Sequence, residues 1–569
     1  MRFLALLLVI LAFPGLASVT AAPVKVENFA LIDHRGKFHE FDYYRRDPNV
    51  KGIVLFTQGN GCPLVRKRIP ELKRLRSEFQ SQGILFGMIN ANPQDERDEL
   101  SEEAAKFEID FPILKDSTQL VASMLEVDRT GEALLIDTKS RKIIFRGPID
   151  DKMSYQSEKK TASKHYLSEA ITAFLKGGEI AEPVVEAPGC RIKFNTPKKD
   201  SISYSETVAA ILKDRCVSCH TKGGVGPFAM SNHKKVSGWS DMIAEVILTK
   251  QMPPWHADPQ HGAFANHSGL TDEETQSIVQ WVRAGSPRGE GPDPLDGYQP
   301  EQPEWKLGKP DHVIDLPKQE IPAEGVLKYR YVHIDSPFDR DVWVRAAEVN
   351  PGNKQVLHHT IITIQDQKSP KKRDIKGHWL TGYAPGTDPL PYPEGSGVLI
   401  RKGDRLNLEL HYTVSGRPEI DLSRIGLYLM DEPPAKVLET GIVAHHRFKI
   451  PPHAREYAQS AVKKIPIDIT LYSMNPHMHF RGKRMRFTLK KPDNSTQVLL
   501  SVPNYNFNWQ RSYYLEKPLE IAAGSQLIIN NAWDNSSLNP FNPDPKKTVG
   551  WGSQTFDEMF FATFTYIRR

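Results

Sequence analysis

His477 and His479, in the stretch Asn475-Pro476-His477-Met478-His479, are the residues of this chain best placed to do chemistry. On a β-strand side chains alternate, so both imidazoles point to one face and can close on a single metal ion, while Met478 points away. Most H-x-H pairs are ordinary surface or core residues, and here the company decides. Upstream stand His358-His359 and His411; downstream, Met559 sits in Asp557-Glu558-Met559. Three histidines, with a second set of two histidines and a thioether, form a ligand inventory for two copper ions. Imidazole suits copper in either redox state, and a soft sulfur favours Cu(I). Adjacent His358 and His359 would face opposite sides of a regular strand. Sharing a metal therefore requires a bulge, or different nitrogens on the two rings; the bland alternative is that one is a buried, hydrogen-bonded histidine. Beside Phe560 and Phe561, Met559 has the alternative of a core methionine. His445-His446 reads as surface or hinge.

A second cluster is Cys216-Val217-Ser218-Cys219-His220, the C-x-x-C-H attachment motif of a c-type haem. Two thioethers would fix the porphyrin and His220 would ligate its iron. A redox dithiol or a zinc half-site are the alternatives, and the flanks lack a second cysteine pair. Met252, in Gln251-Met252-Pro253-Pro254-Trp255, is the expected sixth ligand, because paired prolines impose an extended loop that can hold the thioether against the ring. Met230 is the runner-up. The remaining cysteines are Cys62 and Cys190. With Cys216 and Cys219 engaged by haem, they are the only pair left for a disulfide, which two free thiols in the intact mass of the oxidised protein would rule out.

Length bounds the elements that must position these groups. At 569 residues the chain has room for three or four domains. Its 39% hydrophobic and 25% charged content is that of soluble globular protein, and a net charge of +5 without a dense basic block gives no reason to expect nucleic acid. Residues 1–21 read as a secretory signal: Arg2, an apolar run over 3–13 and the small residues Val19-Thr20-Ala21. The run is too short to span a bilayer. The chain is therefore expected to be exported, periplasmic or secreted, without stable membrane insertion. Four cysteines in an exported chain of this size do not make a disulfide scaffold.

Residues 22–185 read as α/β. The segments 51–56 and 83–89 are buried-strand runs flanking a charged helix over 64–82, and 133–137 with 142–146 forms a hairpin-like pair. Pro183 to Pro188 looks like a linker. Residues 186–300 hold the haem motif and are helical, with a capping box at Thr271 and Glu274 opening a helix over 272–284 and Gly285 and Pro287 closing it. From Trp305 onward short alternating strands dominate. In 406–412, Leu406, Leu408, Leu410 and Tyr412 face one way and Asn407, Glu409 and His411 the other, which is β-sandwich character.

Two resemblances add to this reading. Residues 29–151 resemble the thioredoxin-like redoxin and peroxiredoxin family on the Gly52–Cys62 strand-to-helix turn and on 132–151 (EALLID…IIFRGPIDD). The chain departs from that family at the points where its chemistry is done. Gly59 and Val65 stand where a second cysteine would complete C-x-x-C, the Pro-x-x-x-Thr-x-x-Cys pattern is absent, and Thr130-Gly131 replaces the proline before the later strand. A docking module with a vestigial site is thus one alternative. A third, thiol-redox role using haem and Cys62 is weakened by the missing partner.

From Trp305 to Arg569 the chain resembles the ascorbate-dependent type II copper monooxygenases, on Leu307-Gly308-Lys309-Pro310-Asp311, Leu357-His358-His359-Thr360, Glu409-Leu410-His411-Tyr412, His477-Met478-His479 and Asp557-Glu558-Met559, in that order. The resemblance implies two jelly-roll lobes, here 301–435 and 436–569, each with one copper. His358, His359 and His411 would hold the electron-storing ion; His477, His479 and Met559 would hold the ion at which oxygen is activated. It also implies O2, a small-molecule or peptide substrate, and an electron donor that is an ascorbate-like reductant or a redox protein. The segment contains no cysteine, so its lobes must stand on their cores. Arg481 is a position to watch for substrate contact. The competing reading is a periplasmic copper-binding or electron-transfer protein without oxygenase activity.

Overall fold

The computed structural model describes residues 24–195, 202–365 and 378–569; the expected signal segment lies outside them. The first unit is a seven-stranded sheet in the order Phe38–Glu40, Ala30–Asp33, Ile113–Lys115, Ile84–Asn90, Gly52–Gln58, Ala133–Asp137, Lys142–Gly147. Gly52–Gln58 lies inside it, parallel to Ile84–Asn90 and antiparallel to Ala133–Asp137, and all seven of its residues are buried. That explains its unbroken apolar run: a strand covered on both faces has no polar side to alternate with. The helix Pro63–Phe79 begins at a proline in its first turn, where no N–H is missed, and packs Val65, Ile69, Leu72 and Leu75 onto one face of the sheet.

A helical middle region follows. The helices Ala209–Arg215, Ser240–Leu248 and Asp272–Arg283 close on Tyr204, Leu212, Ile243, Ile278 and Trp281. Thr271 and Glu274 form the expected reciprocal capping box, and Gly285, at φ +84°, ends the turn beyond.

Beyond Arg283 the described residues contain no helix. Two β-lobes form there, each of two sheets over one core. In the first, the sheet Arg330–Asp335, Arg405–Tyr412, Leu357–Gln365, His378–Tyr383 faces a five-stranded sheet centred on Val342–Asn350. Leu406, Leu408, Leu410 and Tyr412 enter the core as their alternation requires. In the second, the sheet Glu439–Ala444, Phe561–Arg568, Ile469–His477, Tyr513–Ile521 faces Tyr457–Lys464, Gln526–Trp533, Gly482–Lys490, Thr496–Val502 around Phe487, Trp533 and Phe560.

The parts touch. Tyr43 donates to Asp534 at 2.7 Å, Arg455 pairs with Asp47 at 2.5 Å, and Arg97 pairs with the buried Asp258 at 2.5 Å. The segment carrying Asp258 crosses the second lobe, where Phe264 joins its core. Among the described residues no helix is long and apolar enough to cross a membrane.

Candidate metal centre

His359 and His411 are direct cross-strand partners on Leu357–Gln365 and Arg405–Tyr412. Between Leu357 and His359 the register slips by one residue, so His358 is the extra residue of a β-bulge. The bulge lets adjacent histidines reach one point instead of opposite faces. The His358 Nδ1 lies 3.0 Å from the His359 Nδ1 and 3.3 Å from the His411 Nδ1, and one ligand atom from each ring falls within 4.8 Å of the others.

His477 ends the strand Ile469–His477 and His479 follows it, with ring centroids 5.3 Å apart. Met478 points the other way into the lobe's core, as strand alternation demands. The His479 Nδ1 donates to the Asp557 carbonyl at 3.3 Å, and the His477 Nδ1 donates to Gln510 Oε1 at 2.7 Å. Both rings therefore keep an unprotonated Nε2 with its lone pair free, and the bond at the other nitrogen fixes the tautomer a ligating imidazole needs. Met559 is buried, yet it is not part of the aromatic core that holds Phe560. Its N–H shares the Glu558 carboxylate with the N–H groups of His479 and Arg481, at 3.3, 3.0 and 2.6 Å.

The two sets abut. His359 and His477 have ring centroids 6.5 Å apart, and Gln510 spans them, its Nε2 3.5 Å from the His359 Nδ1. The His358 ring stacks on Phe507 at 5.1 Å; Phe507 also meets His479 at 5.9 Å, and Tyr329 meets His411 at 4.6 Å. Gln510, Phe507, Tyr329 and Glu558 were not singled out from the sequence. Only Glu558, inside Asp557-Glu558-Met559, carried a local hint.

Burial, reinforced by neighbouring imidazoles, pushes the His411 ring down to about 3; burial holds His358 and His477 at about 4, and it holds His359 and His479 well below the ordinary histidine value. All five are neutral near pH 7, the form that ligates metal. The His479 Nε2 is buried without a hydrogen-bond partner. An orphaned buried polar atom is costly, and a metal ion bound at that nitrogen would satisfy it. The donor set fits copper.

Other expected positions resolve differently. Arg481 is fully buried; its Nε donates to Asn535 Oδ1 at 2.7 Å and its Nη1 to the Phe556 carbonyl at 2.9 Å, so it braces the loop before Met559 and is not exposed to a ligand. His446 packs edge-on against Trp551 at 3.9 Å, away from the cluster. In the helical region His220 Nδ1 donates to the Phe228 carbonyl at 3.1 Å, and burial keeps the ring neutral. Met230 is buried in the helical core next to this turn, whereas Met252 is half-buried and outside that core. A cavity of about 730 Å³ joins the regions: Cys219 and Gly224 line one part, and His359, His477 and Gln510 another.

Residues 434–567 match the family model "copper type II ascorbate-dependent monooxygenase, C-terminal domain", and residues 23–145 match the AhpC/TSA family. Tyramine beta-hydroxylase of Caenorhabditis briggsae is 21% identical over 294 residues, which is 46% of this chain and 46% of that protein. The chain thus spans about half the length of this curated relative. Among solved structures, a hypothetical protein of Sinorhizobium meliloti 1021 is 23% identical over 32% of this chain and 98% of its own, at a TM-score of 0.29. The peroxidoxin BcpB of Mycobacterium tuberculosis is 19% identical over 27% and 96%, at 0.22. The chain carries a copper-dependent monooxygenase domain behind an AhpC/TSA thioredoxin-like domain.

Proposed function

We propose that this chain is an exported copper monooxygenase that hydroxylates a C–H bond with O2 and draws its electrons through its own c-type haem. One observation carries the reading: five neutral imidazoles from two lobes meet at ring-contact distance beside an open cavity. His358, His359 and His411 would hold one copper; His477, His479 and Met559 would hold the other. When bound, copper supplies one-electron transfer and oxygen activation.

The protein's part is positional. Glu558 fixes the backbone at His479 and Met559 together, so strand end and methionine keep one geometry. Gln510 orients His477 toward the site and touches His359 across the lobes. Phe507 and Tyr329 pack the rings and exclude water from them. The substrate would enter the cavity lined by His359 and His477.

One oxygen atom to product and one to water requires two electrons from outside the substrate. The residues around His220 fit a haem. Its Nδ1 bond to Phe228 leaves Nε2 for an iron, and Cys216, whose thiol burial pushes up to about 12, is a free protonated thiol one turn away. Met252 is the proposed sixth ligand. Cys219 borders the cavity that His359 and His477 also line, which supports electron transfer from a haem attached there to the histidines. The donor to the haem would be a redox protein or an ascorbate-like reductant.

Copper counted against covalently bound haem in the copper-loaded protein tests this reading. About two coppers per haem are expected, and about one when His477 and His479 are both replaced. One or none in the parent protein would favour the copper-binding or electron-transfer alternative. Met252→Ala should slow turnover with a protein donor and spare turnover with ascorbate; equal loss with both would sink the relay.

A further inference from the structure

The redoxin-like domain has lost the second cysteine of C-x-x-C, and the fold supplies another from outside the domain. Residues 183–195, whose first part, Pro183 to Pro188, reads as a linker, lie along the domain as a strap. The Val185 N–H donates to the Arg146 carbonyl and the Arg146 N–H to the Pro183 carbonyl, both at 2.9 Å, the Ile192 N–H donates to the Asp128 carbonyl at 2.9 Å, and Ile192 enters the domain core. At Gly189 a Cβ would sit 1.7 Å from the Thr130 carbonyl oxygen, so only glycine permits the approach. Tyr155 holds the same glycine, its hydroxyl 3.2 Å from the glycine nitrogen.

The next residue is Cys190, and the strap sets it on the Cys62 sulfur, with Sγ to Sγ 3.8 Å. Thr130 clasps both residues. Its hydroxyl lies 3.5 Å from the Cys62 Sγ and accepts the Cys190 N–H at 3.2 Å, and its own N–H donates to the Cys190 carbonyl at 2.9 Å. Cys62 is the N-cap of Pro63–Phe79 and is buried; Cys190 is exposed. Only Cys190 meets solvent, and only Cys62 lies behind it.

We propose that Cys62 and Cys190 form a dithiol–disulfide couple that exchanges two electrons with thiol or disulfide groups of other molecules. In the oxidising direction the Cys190 thiolate attacks an incoming disulfide and displaces one thiol. Cys62 then attacks the Cys190 sulfur of that mixed disulfide, the second thiol leaves, and the Cys62–Cys190 bond forms. Two electrons and two protons pass from the pair to the incoming disulfide, which departs as two thiols; a dithiol reverses every step. The site stands apart from the copper cluster and does not depend on the haem.

The full-length protein, equilibrated in glutathione buffers from fully reduced to fully oxidised and quenched in acid, gives the test. Free thiols are alkylated and located by peptide mapping, which separates this pair from Cys216 and Cys219. Cys62 and Cys190 should lose their label together at one buffer ratio, without a retained glutathione. In Cys62→Ser the second attack is impossible, so Cys190 should hold glutathione; in Cys190→Ser, buried Cys62 should hold none. Cys190 is exposed, so its serine variant leaves the domain core intact. Labelling of both thiols at every ratio would overturn the couple. So would a bond that survives the most reducing buffer, which would make it a fixed crosslink.

Discussion

Glu558→Ala should cost the second β-lobe about 5 kcal/mol, and with it the copper that His477, His479 and Met559 are proposed to hold. The carboxylate is fully buried and accepts three backbone N–H groups, from His479, Arg481 and Met559. Alanine orphans all three, and each unsatisfied buried donor costs roughly 1–3 kcal/mol. In a lobe of this size that lowers the melting temperature by roughly 10–20 °C. The loss falls on the proposed copper site because two of the three donors belong to its candidate ligands, His479 and Met559. Burial raises the Glu558 carboxyl to about 7, so it is partly neutral at pH 7. Glu558→Gln, neutral and nearly isosteric with one acceptor oxygen kept, should therefore lose clearly less than alanine. Differential scanning calorimetry and copper per chain read both effects. If alanine melts within about 3 °C of the parent, or if copper is lost equally from the His358, His359 and His411 site, the carboxylate does not tie strand to methionine.

Local pattern marked the candidate ligands; tertiary contact decided what surrounds them. The His477 and His479 pairing followed from strand alternation alone, which also sent Met478 into the core. The need for a bulge followed from the adjacency of His358 and His359, and the register slip supplies it. Gln510 was not legible. It lies in an irregular loop, Asn508-Trp509-Gln510-Arg511, and its partners His477 and His359 are 33 and 151 residues away. Phe507 and Tyr329 look like any core aromatics until the lobes meet on them. Arg481 looked like a ligand contact because it follows the H-x-H strand, and its burial makes it a brace. The strap misled for a related reason. Proline and glutamate report local solubility and an extended backbone, whereas docking is decided by Ile192 and by one glycine opposite Thr130.

Stability of the copper-free protein should fall as pH drops from about 6.5 toward 4. For His358, His411 and His477 the folded values of about 4, 3 and 4 lie below the unfolded value of 6.5, and burial lowers His359 and His479 in the same direction. Between folded and unfolded values the unfolded chain binds more protons. Stability that is fully present above pH 6.5 is therefore lost on acidification, by about 2 kcal/mol at pH 5 for each of the three with stated values. Buried carboxylates oppose this, Asp116 in direction and two glutamates most strongly. Burial raises Glu558 and Glu409 to about 7 from 4.5, so over that window the folded state binds more protons, and each gains about 2 kcal/mol between pH 7 and 5. The five cluster histidines, with His256 also held at about 4 by burial, outweigh the raised carboxylates, and the net sign is loss. Melting of the metal-stripped protein at pH 7, 6 and 5 measures it, and His477→Gln with His479→Gln should flatten the slope by removing two of the five. A melting temperature that holds or rises on acidification would mean the imidazoles are not buried in neutral form, and the cluster would lose its standing as a preformed metal site.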